Sequence, residues 1–297
     1  MPAPILLFTY NRPWHTQQTL DALAKNALAP ESSLFVFSDA ARTSQDEEKV
    51  EETRQMLRKI KGFREVHVIE RSVNLGLATS IIEGTTEIFK KFDTVIVLED
   101  DLVSAPNMLN FMNDALVKYQ YTPEIFSVSA YNFPFHVPVH YTYDVYLSYR
   151  FLSWGWATWR DRWQKADWEI KDYHAFISDR NAQIQFNKGG EDLTRMLQRQ
   201  REGKINSWAV RWSYAHYKHN AYALVPVVSK IKNIGADDSG THVEKTSRYD
   251  VLLDDGKKSY HLPDHIALDP VVTGNFQKFF KKSWLRKLLS LILEKFK

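Results

Sequence analysis

Cysteine is absent from the 297 residues. This excludes disulfides and thiolate metal sites and agrees with a reducing compartment. No stretch reaches about 18 uninterrupted apolar residues, so a membrane-spanning helix is not expected. Charge of one sign is also scarce. A formal net charge of +3 gives no reason to expect nucleic-acid binding from the field of the whole molecule. No basic segment with an apolar core and a cleavage site precedes the first strand-like run at Pro4 to Thr9, so no signal peptide is expected. What the chain does hold is an ordinary apolar content of 44%, enough for one large core or two modest ones.

The first hundred residues alternate between strand and helix patterns. Ile5 to Thr9 reads as a strand, Tyr10-Asn11-Arg12-Pro13 as a loop, and Leu20, Leu23, Ala27 and Leu28 as the apolar side of a helix. Leu34 to Phe37 and Val66 to Ile69 are further strands. Between them lies a helix carrying Val50, Met56, Leu57 and Ile60, opened by a capping-box pattern from Ser44 to Glu47. Asn74-Leu75-Gly76 leads into a helix with Leu77, Ile81, Thr85, Ile88 and Phe89 on one face. Short links between such units predict a parallel α/β sheet with right-handed crossovers.

The segment around which this half is organised is Thr94 to Leu102, TVIVLEDDL. Val95 to Leu98 is the unbroken apolar run of a strand buried on both faces. Glu99, Asp100 and Asp101 then fall at its carboxyl end. Adjacent carboxylates repel one another and need a cation, hydrogen-bond donors or open water. Mg²⁺ or Mn²⁺ suits such an all-oxygen site; a solvated acidic turn is the alternative. Thr9, Asn11, Arg12, Asp39 and Asn74 lie at or just beyond other strand ends, the edge where α/β sheets bind ligands. A basic residue, a carboxylate for directional hydrogen bonds and a metal-binding acid cluster together match the needs of a nucleoside diphosphate.

These residues resemble the GT-A glycosyltransferases, which transfer sugars from nucleotide donors. ILLFTYNRP looks like the first β-α unit of that fold, and VNLGLATSIIEG like a degenerate Asn-x-Gly helix opening. More narrowly, VLEDDLVSAPNML followed by SVSAYN resembles the N-acetylglucosaminyltransferase I group. FLSWGWATWRDRW and NIGADDSGTH resemble its bacterial relatives in polysaccharide assembly. The resemblance covers about residues 4 to 242. It implies a Rossmann-like, mixed but mostly parallel sheet flanked by helices. It makes Asp101 the direct metal ligand, Asp100 a ribose or indirect metal contact, and Glu99 the residue that orients the donor. Asp39 would read the nucleoside, Arg12 and Asn74 would lie along the nucleotide, and His242 would face the diphosphate or the metal.

Beyond Pro106 a helix is expected through Leu109, Met112, Leu116 and Tyr119, and strands at Ile125 to Ala130 and Tyr222 to Ser229. Five tryptophans fall between Trp154 and Trp168. Indoles stack on sugar rings as readily as they fill cores. Most of these are expected to be packed and one or two, foremost Trp154 or Trp156 beside the flexible Gly155, to touch a sugar; Gly155 itself and Trp208 complete the expected sugar contacts. Proton abstraction from an acceptor hydroxyl needs a base, and a carboxylate suits. Where the relatives carry Asp-Ser-Trp this chain reads Asn206-Ser207-Trp208, and an amide cannot serve as base. Asp192, in the GGEDL segment, is the nearest substitute, with Asp161 and Asp167 behind it.

The expected organisation is a transferase domain over 1–242, with a nucleotide half to about 105 and an acceptor half beyond it. A linker or wrap over 243–275 follows, then a cationic amphipathic helix over 276–297. Lysines and arginines interleaved with Phe, Trp and Leu in that last segment fit a helix lying on an anionic membrane surface. Docking on its own domain or on a partner is the alternative. The expected function is metal-dependent transfer from a nucleotide sugar, a UDP-sugar foremost, to a surface-glycan or lipid-linked acceptor, on the cytoplasmic face of a membrane and with inversion. Two other classes remain: a non-catalytic glycan- or nucleotide-binding module, and a sugar-nucleotide nucleotidyltransferase. TYNRP is not the glycine-rich phosphate loop the latter would carry.

Overall fold

The computed structural model describes residues 1–237, 246–254 and 256–281. The first half of the chain forms β1 (Ile5–Thr9), α1 (Pro13–Ala24), β2 (Ser33–Ser38), α2 (Glu47–Leu57), β3 (Glu65–Glu70), α3 (Gly76–Ile88) and β4 (Thr94–Glu99). The second half begins with β5 (Leu102–Ser104), α4 (Met108–Lys118), β6 (Ile125–Ser129), β7 (Val145–Ser148) and β8 (Trp156–Trp159). Short helices α5 (Arg160–Trp163), α6 (Tyr173–Ser178) and α7 (Arg180–Phe186) precede α8 (Leu193–Arg201) and α9 (Trp208–Lys218). The described chain closes with β9 (Tyr222–Pro226), β10 (Ile231–Asn233) and α10 (Pro270–Phe280).

Eight strands make one sheet in the order β3-β2-β1-β4-β8-β6-β9-β7. The run β3-β2-β1-β4 is parallel, as the alternating β-α pattern requires. Strand β8 enters between β4 and β6, antiparallel to both, while β6 and β9 are parallel and β7 is antiparallel to β9. The sheet is therefore mixed and mostly parallel, flanked by helices. Alternate residues of β1 divide between two cores. Ile5 and Leu7 join Leu23, Leu57 and Phe111 on one face, and Leu6 and Phe8 join Ile81, Ile88 and Trp212 on the other. This period-2 split explains why β1 and β4 read as continuous apolar runs.

Some expectations shift. Thr43, extended at φ −137°, is the residue whose side chain closes a capping box with Asp46, so the Ser44-to-Glu47 pattern sits one residue late. Helices α1 and α2 end before Ala27 and Ile60. The last strand stops at Pro226, and a separate strand β10 pairs with β5. The wrap over residues 246–269 runs back across the domain: Asp254 accepts from Lys230, Asn107 Nδ2 (2.7 Å) and the backbone N–H groups of Gly256 and Lys257. Helix α10 starts at Pro270, six residues before the expected 276. Its Asp269 cap accepts from Val271 and Val272 N–H at 2.8 Å, and Val272 and Phe276 are buried beside Tyr146 and Val225. Residues 276–280 thus pack on their own domain, and residues 282–297 lie outside the described part. No helix among the described residues is long and apolar enough to cross a membrane.

Candidate active site

Parallel strands deliver their carboxyl ends to one edge. That edge gathers Thr9 to Arg12 from β1, Asp39 from β2 and Glu99 to Asp101 from β4. Because β8 runs the opposite way, its amino end arrives at the same edge. Trp156 pairs with Val97 and Ser129, which brings Ser153 and Trp154 to that edge and into the cavity wall. Together they wall a cavity of about 1350 Å³, more than one drug-sized ligand fills.

At the end that holds the acids, Pro13 opens α1, a position where its missing N–H costs nothing, and this fixes Arg12 at the strand-to-helix junction. Its guanidinium donates to Asp100 and, at 3.0 Å, to Asp101 Oδ2. Burial opposes the Arg12 charge, but Asp100 and Asp101 outweigh it and raise its pKa. Burial, then the charges of Asp101 and Asp100, push the Glu99 carboxyl up. Burial also raises Asp100, against the pull of Arg12. One guanidinium does not neutralise three clustered acids. Asp101 Oδ1 is buried with no hydrogen-bond partner among the described residues, and so are Thr9 Oγ1 and Ser80 Oγ in the same wall. Buried oxygens without partners are rare in native proteins, and each calls for a partner such as a water, an ion or a ligand.

A strap formed by residues 234–237 lies over this cluster. Ile234 N–H donates to the Asp101 carbonyl at 2.9 Å, and Gly235 N–H to Asn233 Oδ1 at 2.9 Å. A Cβ on Gly235 would stand 2.1 Å from Asp101 Oδ2, so only glycine permits this approach. Asp237 Oδ2 is 3.0 Å from His15 Nε2. No group of three or more His, Cys, Asp or Glu side chains among the described residues is arranged to hold a metal by itself. Asp101 with its free oxygen nevertheless fits a hard cation that takes its other ligands from a diphosphate and water. His242 lies outside the described residues.

Asp39 and Asn74 both line the cavity, yet both also build it. Asp39 accepts from the N–H groups of Ala40 (3.0 Å), Leu75 (2.9 Å) and Gly76 (2.9 Å), satisfying the start of α3. Asn74 Nδ2 donates to the Ala40 carbonyl at 2.7 Å. Asn11 Nδ2 donates to Asp46 Oδ1 at 2.7 Å.

At the other end, Asp192 does not cap its helix with its side chain. Both of its oxygens accept from Arg150, at 2.8 and 3.0 Å, and the pair faces the cavity. Asn206 also borders it, with Oδ1 accepting from Arg211 at 3.1 Å. Its neighbour Ser207 is the residue that caps α9. Trp154 is half-buried in the wall, ring to ring with Tyr131 (4.6 Å) and Tyr249 (5.5 Å).

Two expected sugar contacts are corrected here. Trp156 is 1% exposed and belongs to a stack of indoles, 5.5 Å from Trp163 and 5.1 Å from Trp208; it is core, because its strand sits in the middle of the sheet. Gly155 is absent from the described cavity wall. Its φ is +66°, and a Cβ there would meet Ile231 Cδ1 at 2.2 Å, so it serves a packed turn rather than a flexible one. Trp208 is buried in the same stack and still borders the cavity. Asp161 ion-pairs with Arg162 and Asp167 accepts from Glu169 and Lys171 N–H, away from the cavity.

Sequence reading missed Arg42, Arg150, Arg199, Arg248, Tyr249 and Phe280, all in the cavity wall. Only the glycine-led Glu191-Asp192 pair carried a local signal. The others are brought in by the fold, Phe280 by way of α10, where its ring covers the Arg150 guanidinium at 4.3 Å.

No protein-family model matches the chain, and no curated protein matches its sequence. Among solved structures, TarS of S. aureus is similar over 80% of this chain and 38% of that one, at 14% identity and a TM-score of 0.43. The mannosyltransferase PcManGT of Pyrobaculum calidifontis, solved with GDP-Man and Mn²⁺, is similar over 54% of this chain and 47% of that one, at 14% identity and a TM-score of 0.34. The chain thus spans less than half the length of either protein, and neither likeness assigns it an activity.

Proposed function

We propose that this chain is a metal-dependent GT-A glycosyltransferase. It would move a sugar from a nucleotide-sugar donor, a UDP-sugar foremost, to a surface-glycan or lipid-linked oligosaccharide, with inversion. The observation that carries this reading is one cavity with two chemically different ends: a buried Asp101 oxygen with no partner among the described residues, beside clustered acids, at one, and a carboxylate held by an arginine fork at the other.

Asp101 is the residue to hold Mn²⁺ or Mg²⁺, which when bound neutralises charge on the departing diphosphate. Arg12, already among the acids, adds a fixed positive charge beside that group. Thr9 and Ser80 offer unsatisfied hydroxyls to the nucleotide, and Asp39 with Asn74 fixes the α3 opening against it. At the far end Asp192 takes the proton of the acceptor hydroxyl. The acceptor oxygen bonds to the anomeric carbon as the bond from that carbon to the phosphate oxygen breaks. Arg150 uses one lone pair of each Asp192 oxygen and leaves the others for the proton. Trp154 offers its ring to a sugar. The basic, apolar sequence beyond Lys281 would place the enzyme at an anionic membrane surface, tested by sedimentation with phosphatidylglycerol vesicles.

The test is calorimetric titration of UDP into the protein with and without Mn²⁺, repeated on Asp101→Ala. Micromolar, metal-dependent binding that the substitution abolishes is expected, followed by UDP release from a UDP-sugar. Failure of UDP, GDP, CDP and dTDP alike to bind with metal present overturns the donor site. Binding without any turnover favours a non-catalytic module.

A further inference from the structure

The cavity is electrically divided. Around the acid cluster, the described lining residues set Asp39, Glu99, Asp100 and Asp101 against Arg12 and Arg42. Around Asp192 the sign reverses, because Arg150, Arg199 and Arg248 stand against that one carboxylate. Arg150 and Asp192 neutralise each other, which leaves Arg199 and Arg248 as the further cations of this described lining.

Both are placed to be used. Arg199 lies two turns along α8 from Asp192, on the face that also brings Met196 to the wall. Arg248 is held in position: one Nη donates to the Phe279 carbonyl at 2.6 Å, and its guanidinium lies 4.7 Å from the Phe279 ring. Its remaining N–H donors stay available. A neutral sugar needs aromatic faces and a few uncharged hydrogen bonds. Two exposed guanidinium groups on the wall of a concave site instead attract an anion and match carboxylate or phosphate in shape.

We propose that the acceptor carries a negative charge beside the sugar that receives the transfer, as a phosphate or a carboxylate, and that Arg199 and Arg248 bind it while Trp154 and Tyr249 line the ring. The proposal deepens the transferase reading and rests on it for the word acceptor, but the charge preference is measurable without turnover.

The experiment compares glucose 6-phosphate, glucuronate and methyl glucoside by ligand-observed NMR on the full chain saturated with UDP and Mn²⁺. At least one charged probe is expected to bind tenfold or more tightly than methyl glucoside, and which one does so separates phosphate from carboxylate. Arg199→Gln/Arg248→Gln should erase the preference with UDP affinity kept within twofold, and Arg199→Lys/Arg248→Lys should keep part of it. Because Arg248 also ties down Phe279, Arg199→Gln alone is measured in parallel and should weaken the preference on a fold that melts like the parent. Equal binding of the neutral probe, a preference that survives the double glutamine variant, or displacement of UDP by the charged probe each overturns the proposal. If UDP itself does not bind, the donor reading has failed. A charge preference lost in the glutamine variants then still supports the anion subsite, and no preference overturns it.

Discussion

Gly235→Ala tests whether the strap over the acid cluster is part of the site. Its φ is outside the left-handed region, so alanine is compatible with the backbone there, and the effect is purely one of space. The added Cβ would stand 2.1 Å from Asp101 Oδ2, 2.9 Å from Asp101 Cγ and 2.9 Å from Arg12 Nη1. None of these atoms can yield cheaply, because Asp101 and Arg12 are joined at 3.0 Å and the strap is tied to the Asp101 carbonyl through Ile234. Overpacking of this kind costs about 1 to 3 kcal/mol. If the strap moves to relieve it, the loss falls on whatever binds Asp101, about fivefold to about 150-fold in metal-dependent nucleotide affinity. The assay pairs calorimetry of UDP with Mn²⁺ against a thermal melt. Weakened binding with a nearly unchanged melt is the expected result. Parent-like affinity and melting together would refute the reasoning, since the strap would then not press on Asp101. A lowered melt with parent-like affinity would make it a structural clamp alone.

Asp192→Asn should leave UDP binding unchanged and lower transfer by about 10²- to 10⁴-fold, the range for loss of a general base, read as UDP release under saturating donor. Trp156→Ala should cost about 3 to 5 kcal/mol in denaturant unfolding, as for other buried aromatics. Trp154→Ala should cost less stability and act on acceptor KM. His216 is fully buried, with Nε2 accepting from Ser127 Oγ and Nδ1–H donating to the Trp212 carbonyl, each at 2.8 Å. Burial lowers its pKa to about 3. The unfolded state takes up the proton first, so the stability this neutral imidazole contributes is complete above about pH 6.5. It falls by about 1.4 kcal/mol per pH unit as the pH drops toward 3. A His216→Gln variant should show a flatter melting profile over that window, and an unchanged slope would reject the assignment.

The parallel half was legible because each of its strands is a short apolar run ending in polar residues, and the two-sided burial of β1 and β4 leaves that run unbroken. The acids, Arg12 and Asp39 were legible for the same reason, since strand ends in such sheets share one edge. Strand β8 was not. Trp156-Ala157-Thr158-Trp159 is only four residues long, and its indoles read equally as ligand platform or core. Its place between β4 and β6 is set by long-range pairing rather than by any local period. That one omission misdirected the tryptophans: a strand there turns Trp156 into the interior and leaves Trp154, two residues earlier, at the rim. Arg150 and Arg248 were hidden more deeply, because they come from segments with no periodicity, and they meet Phe280 of α10 only once the chain has wrapped back over the sheet.

The acid cluster explains why such an arrangement is stable enough to exist and still incomplete. Burial and mutual repulsion raise Glu99 and Asp100, and among the described residues Arg12 supplies the one compensating charge within hydrogen-bond reach. Had the fold needed neutrality for stability alone, a second cation or a pair of amides would remove the deficit at little cost. Instead the chain spends its nearby donors elsewhere: the N–H groups of Leu75 and Gly76 go to Asp39. The strap brings a glycine to Asp101, and among the described residues Oδ1 is left buried without a partner. A charge deficit kept beside an open cavity is what a divalent ion arriving with a diphosphate would fill, while Arg199 and Arg248 at the other end would draw the anionic group proposed for the acceptor.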